Sequence, residues 1–182
     1  NLYLKSHDPD KFFFTQSDVD QLSAFRDKLD NAIKEQNLGI PFTIFNRYTQ
    51  RALERLTYAR QLLKKGFDFK QKENYQYDRE RAGWATSEAE LQKLWQQRVK
   101  NDWLRLKLAG KDDKGIAETL DNRYANTLKG IARLKSEDAF QIFMNAYTMA
   151  IEPHTNYMAP GAAEDFDISM KLSLIGIGAV LT

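Results

Sequence analysis

The chain has 182 residues, no cysteine, and 27 basic against 25 acidic side chains, a formal charge of +2. With 42% hydrophobic residues it is long enough for one domain with a core of its own. The missing cysteines exclude disulfides, thiolate zinc sites and a cysteine nucleophile, and the near balance of charge argues against a duplex-binding face, which neutralises about 6 to 10 phosphates.

The first residues, Leu2-Tyr3-Leu4, enter patterned sequence directly, without a charged, apolar and small-residue leader. Ser17 and Asp20 then mark a helix start, and Val19, Leu22, Phe25, Leu29 and Ile33 recur at steps of three and four residues until Asn37-Leu38-Gly39. Pro41 opens the next element. From Phe42, the residues Phe45, Tyr48, Ala52, Leu56, Ala59 and Leu63 form one long stripe, and Lys64-Lys65-Gly66 supplies a basic last turn and a glycine stop. Phe67-Asp68-Phe69 and Tyr75-Gln76-Tyr77 alternate aromatic and polar residues, as short extended segments do, within a polar stretch containing Asn74 and Gly83 that reads as a long loop.

Ser87 and Glu90 have capping-box spacing. They precede Leu91, Leu94, Trp95, Arg98, Val99, Asp102, Trp103 and Leu106, an apolar face with two polar members. Gly110 to Lys114 breaks this helix. Ile116, Leu120, Tyr124, Leu128, Ile131 and Leu134 make a further stripe, and Ser136 caps a helix carrying Ala139, Phe140, Phe143, Met144, Tyr147 and Ile151. Pro153 ends the helical part. From Met170 to Thr182 the pattern turns into an alternating apolar segment and a glycine-punctuated strand, which needs a sheet to join. The chain is therefore expected to be a piece of a longer protein. No run of about 18 apolar residues marks a membrane-spanning helix.

Residues able to do chemistry are few. Only His7 and His154 are present, too little for a histidine triad or a multi-histidine metal site. His154 could act as a base or ligand beside Glu152, or bond the carbonyls at a helix end; the second reading is favoured. Asp112-Asp113 and Glu137-Asp138 could hold a metal, yet stand where loops and first helical turns carry acids. Trp84, Trp95 and Trp103 read as core or helix-interface residues. Lys64-Lys65 and Arg79-Glu80-Arg81 are short and interrupted by acids, as solvated faces are. No cofactor, metal or nucleic-acid partner is expected.

Two motifs carry a resemblance. Pro153-His154-Thr155, then Tyr157 and Pro160, a spacer with Glu164 and Phe166, and Gly176-Ile177-Gly178-Ala179 resemble the carboxy-terminal processing proteases, in their tail-specific branch. At the other end, His7-Asp8-Pro9-Asp10-Lys11-Phe12-Phe13-Phe14-Thr15-Gln16-Ser17-Asp18 resembles that family's Leu-Asp-Pro, aromatic-Phe and Ser-Asp pattern. Glu152 and His7 stand where the family has Asp and Leu, and Ile175 where an acid or glycine is common.

The resemblance implies a mainly α-helical amino-terminal domain over 1–160. A connector and the first strand of a PDZ domain follow over 161–182. The serine nucleophile and its lysine, an amine held neutral by burial, are implied to lie beyond that domain, so this chain should not hydrolyse peptides alone. A periplasmic serine endopeptidase is implied, associated with the membrane or free, with a helical scaffold for substrate access. Its implied partners are proteins with apolar C-terminal tails and an adaptor or a second copy of the chain. In PDZ domains a glycine-containing turn lets backbone N–H groups meet a terminal carboxylate, which points to Leu174, Gly176, Ile177, Gly178 and Ala179; the same glycines also suit a bulge or close strand packing. The alternative from another class is a free-standing helical interaction module without protease activity.

Overall fold

A computed structural model describes residues 2–171, and its organising element is the longest apolar stripe of the sequence. Eight α-helices follow one another among the described residues: α1 (Leu2–His7), α2 (Gln16–Ser23), α3 (Leu29–Lys34), α4 (Gly39–Lys65), α5 (Glu88–Leu108), α6 (Asp113–Arg133), α7 (Ser136–Ile151) and α8 (Pro160–Lys171). A 3-10 turn at Arg26–Lys28 separates α2 from α3, and an isolated parallel bridge joins Thr15 to Ala85. The mainly helical expectation holds; no β-strand occurs among the described residues.

Helix α4 has 27 residues, which makes it about 40 Å long at 1.5 Å per residue. Its buried positions Ile44, Phe45, Ala52, Leu56, Ala59, Leu62 and Leu63 keep to one side by the three- and four-residue spacing. Packed on it are α1, α3, α5, α6 and α7. Two hydrophobic clusters share this spine. The first joins Leu56, Ala59, Leu62 and Leu63 to Leu91, Trp95, Val99 and Trp103 of α5 and Ile116, Leu120 and Tyr124 of α6. The second joins Ile44 to Tyr3 and Leu4 of α1, Val19 and Leu22 of α2, and Phe143 and Ala146 of α7. Phe12 belongs to the first cluster and Phe14 to the second, so the aromatic run in the loop after α1 ties them together.

Local chemistry sets most helix ends. Thr15 caps α2: its side chain accepts the Asp18 N–H at 3.2 Å while the Asp18 carboxylate accepts the Thr15 N–H at 3.2 Å. Ser87 caps α5 through the Glu90 N–H, but the Glu90 carboxylate turns to the N–H and hydroxyl of Thr86, both at 2.7 Å, one residue earlier than a capping box requires. Gly66 lies at φ 69° just past α4, the left-handed position glycine fills without a Cβ penalty.

Three boundaries differ from the sequence reading. The single helix expected from Ser17 to Asn37 breaks after Ser23, whose hydroxyl donates back to the Val19 carbonyl at 2.7 Å, a contact that competes with helix continuation. Its stop is Gln36 at φ 53°, and Gly39 begins α4 instead of ending α3. Ser136 is the first residue of α7, not its cap; Lys135 takes that place and donates its N–H to the Asp138 carboxylate at 2.7 Å.

The chain also resumes helix beyond Pro153. Gly161 to Lys171, read as connector with a strand beginning at Met170, lie in α8, which opens on Pro160. Proline is at home in a first helical position, since it lacks only an N–H that would go unpaired there, and Ala162, Ala163 and Glu164 favour the helix. Phe166, Ile168 and Met170 sit exposed on this helix. Leu174, Gly176, Ile177, Gly178 and Ala179, and the strand expected on them, lie outside the described residues. No helix among the described residues is long and apolar enough to cross a membrane.

Candidate functional site

The His7–Asp18 motif folds into a buried reversal. After α1 the chain turns through Pro9 and Lys11, the latter at φ 58°, and lays Phe12, Phe13 and Phe14 back across Asp8. The Asp8 carboxylate accepts their three successive N–H groups at 2.7, 2.8 and 2.9 Å while only 1% exposed. Burial pushes its carboxyl above the usual range, against the pull of those three amides. Lys11 donates its ammonium to the Glu80 carbonyl, Arg79 donates to the Asp10 carbonyl at 3.1 Å, and Trp95 donates its indole N–H to the Phe12 carbonyl at 2.7 Å. The motif is thus spent on backbone satisfaction, where orphaned groups would be costly.

Asp18, at the end of the same motif, is a charge hub. Arg47 donates to it at 2.8 Å, and Arg51 donates from Nη2 at 2.8 Å and Nε at 2.9 Å. Arg51 also reaches Glu54 at 2.9 Å, and Arg55 reaches Glu88 at 2.7 Å. Burial opposes ionisation of Asp18, but the Arg51 bonds, the Thr15 amide and Arg47 together outweigh it and hold the carboxyl below its usual range.

The two histidines occupy opposite settings. His7 is buried, stacked on Tyr48 at 4.8 Å with Tyr3 edge-on at 4.8 Å, and its Nε2 has no hydrogen-bond partner among the described residues. Burial lowers its pKa to about 4, so it is neutral at neutral pH. His154 is exposed, and its backbone N–H donates to the Glu152 carboxylate at 2.8 Å, which also accepts the Thr155 hydroxyl at 2.9 Å. Glu152 therefore serves the helix exit, and the His154 imidazole, expected to bond the helix-end carbonyls, makes no such bond among the described residues. Asp112 accepts the Gly115 N–H at 3.0 Å and starts α6; with Asp138 on Lys135, both acid pairs weighed as metal ligands stand at helix starts. No group of three or more His, Asp or Glu is placed to hold a metal among the described residues.

Among several concave features of the described residues, one is a cleft of about 600 Å³ between α5, α6 and the 66–87 loop. Arg98, Asp102 and Arg105 enter it from one face of α5, Arg123 and Tyr124 from α6, and Tyr75 and Tyr77 from the loop, over Phe12 and Phe13. The Arg98 guanidinium lies 4.0 Å from the Phe12 ring centre and 4.9 Å from that of Trp95. It makes no hydrogen bond and no ion pair among the described residues. Arg105 lies over Tyr77 at 5.8 Å. Asp102 accepts the Tyr124 hydroxyl at 3.1 Å and stands 3.9 Å from Arg123. Burial pushes the phenols of Tyr124 and Tyr75 up, so both stay protonated. The cleft offers guanidinium donors, aromatic walls and a few carboxylate acceptors, and no nucleophile paired with a base. Sequence reasoning passed over it, although Arg98 and Asp102 are the two polar members noted on the α5 stripe.

Comparison with known proteins bears on both ends of the chain. The family model described as "Tail specific protease N-terminal domain" matches residues 1–161. A protein named tail-specific protease, from Haemophilus influenzae, is 38% identical over 180 residues, which are 98% of this chain and 26% of that protein. The chain thus spans about a quarter of that relative's length.

Proposed function

This chain belongs to the tail-specific protease family through that family's N-terminal domain, and from that premise we propose that it is the non-catalytic helical part of a periplasmic serine endopeptidase. In this reading the enzyme degrades or trims proteins from their C-termini, and the helical domain shapes the route by which unfolded tails reach the PDZ and protease parts. The carrying observation is the match over residues 1–161 together with 38% identity across 98% of the chain. Supporting it, the motif side chains here are committed to structure: Asp8 to three amides, Asp18 to two arginines, and the Ser6 hydroxyl to the Tyr3 carbonyl at 2.8 Å rather than to a lysine. Binding of apolar substrate tails belongs, in the same proposal, to Leu174, Gly176, Ile177, Gly178 and Ala179. An adaptor or a second copy would dock on the helical body.

The test is made on the longer protein with residues 1–160 deleted. A short unstructured peptide should be cleaved at the rate of the intact enzyme, while cleavage of a folded protein with an apolar tail should change by at least about tenfold in kcat/KM. Equal kcat/KM on both substrates would remove the scaffold role. Replacing Gly178 by Val should separately weaken capture of apolar-tailed peptides, and unchanged affinity would move the binding site elsewhere.

A further inference from the structure

We propose that the cleft between α5, α6 and the 66–87 loop seats a carboxylate of an extended peptide, with Arg98 as its principal anchor. The argument begins from what Arg98 lacks. A half-buried guanidinium ordinarily meets a carboxylate, as Arg51 meets Asp18 and Arg55 meets Glu88 in this same protein. Arg98 meets none among the described residues; its plane is held by the rings of Phe12 and Trp95. Stacking fixes the plane and leaves the fork of N–H donors at its edge open, which is the geometry a planar carboxylate accepts in two parallel bonds. Phe12 is itself immobilised by the Asp8 bond to its N–H and the Trp95 bond to its carbonyl, so the platform is set before any ligand arrives.

The surroundings select the kind of anion. Arg105 and Arg123 add positive charge, but Asp10, Asp78 and Asp102 line the same cleft and balance it. A dianionic phosphate would face those three acids. A singly charged carboxylate followed by peptide N–H groups suits both sets, with the anion on Arg98 and the N–H donors toward the acids. Tyr75 and Tyr77 provide walls for apolar side chains, and a cleft of about 600 Å³ lies within the range of about 300–1,000 Å³ that small ligands occupy. The carboxylate could come from a chain terminus or from an acidic side chain. That the peptide is a protease substrate rests on the function proposed above; that the cleft binds a peptide carboxylate does not.

Calorimetric titration of the 182-residue chain decides the matter, using acetyl-Leu-Ala-Ala-Phe with a free C-terminus, its C-terminal amide, and the amide of acetyl-Leu-Glu-Ala-Phe. The free acid should bind saturably, and amidation should weaken it by about tenfold or more, the loss expected of a charge-assisted pair. Restored binding by the glutamate peptide would assign the carboxylate to a side chain, and failure to restore it would assign it to the terminus. Arg98→Gln should lose binding to the same degree, which separates this cleft from the glycine segment, and Arg98→Lys should fall between. Because Arg98 variants could disturb the core, the indole N–H resonance of Trp95 is followed in the unmutated chain and should shift on titration with the acid. Equal binding of acid and neutral amide, no binding by either carboxylate peptide, stronger binding of inorganic phosphate, or an unmoved Trp95 signal would each overturn the proposal. None of these outcomes touches the kcat/KM comparison that tests the scaffold.

Discussion

The segments His7–Asp18 and Glu152–Pro160 carry the same kind of sequence signal and do different physical work. In the first, Asp8, Lys11, Thr15 and Asp18 are all buried, and their partners are drawn from the segment itself, from α4 and from the 66–87 loop. In the second, Glu152 and His154 are exposed, and the Glu152 carboxylate accepts only from His154 and Thr155 among the described residues. Its longer-range ties are the Tyr157 N–H on Asn145 at 2.7 Å and the Tyr157 ring against Phe140. A polar residue inside two converging cores is indispensable because water cannot replace its partners, whereas at a solvated helix exit water can.

That contrast sets an order of effects. The largest is Asp8→Ala, which strands three amide donors, those of Phe12 and Phe14 on buried residues; a loss of about 3 kcal/mol or more is expected in urea unfolding. A loss under about 1 kcal/mol would erase the difference between the segments. Next comes the pH dependence from His7. Its folded pKa of about 4 lies below the ordinary 6.5, so between those values the unfolded chain takes up a proton that the folded chain refuses. Stability from this group is present above pH 6.5 and lost as pH falls toward 4, by up to about 3 kcal/mol. His7→Leu should flatten that part of the curve relative to the unmutated chain, and identical slopes would refute the burial account.

Smaller effects sharpen the comparison. Trp95→Phe keeps an aromatic ring under Arg98 but deletes the 2.7 Å bond to the Phe12 carbonyl, and a loss of about 1–2 kcal/mol is expected. Glu152→Ala should cost about 0.5 kcal/mol or less, read as a shift of the thermal midpoint of a degree or two at most, since both its bonds are exposed. An effect as large as that of Asp8→Ala would give the second segment a role in the longer protein's fold that its setting in this chain does not explain.

Helix α5 shows how far sequence legibility reached. The stripe from Leu91 to Trp103 predicted its buried face, and Ser87 its start, because both signals act within a turn or two. The roles of Arg98 and Asp102 on that stripe were not legible, since Phe12, Tyr75 and Tyr124, which surround them, arrive from three other parts of the chain. The same holds for Asp18, readable as a first-turn acid but not as the partner of arginines 29 and 33 residues away. The strand expected from Met170 onward meets the described residues only at Met170 and Lys171, which close α8; no partner strand exists among the described residues, and a lone strand leaves its backbone groups unpaired where a helix pairs its own.

Sequence alone determined that this chain is a set of amphipathic helices punctuated at Gly66, Gly110 and Pro153, because capping, periodicity and backbone restriction are local forces readable over a few residues. Tertiary structure decided which polar residues on those helices are partnered, which are spent on the fold, and which, like Arg98, are left open toward a cleft. Those outcomes depend on contacts between residues as far apart as Phe12 and Trp95, 83 positions along the chain, and no local pattern encodes where two such distant segments will meet.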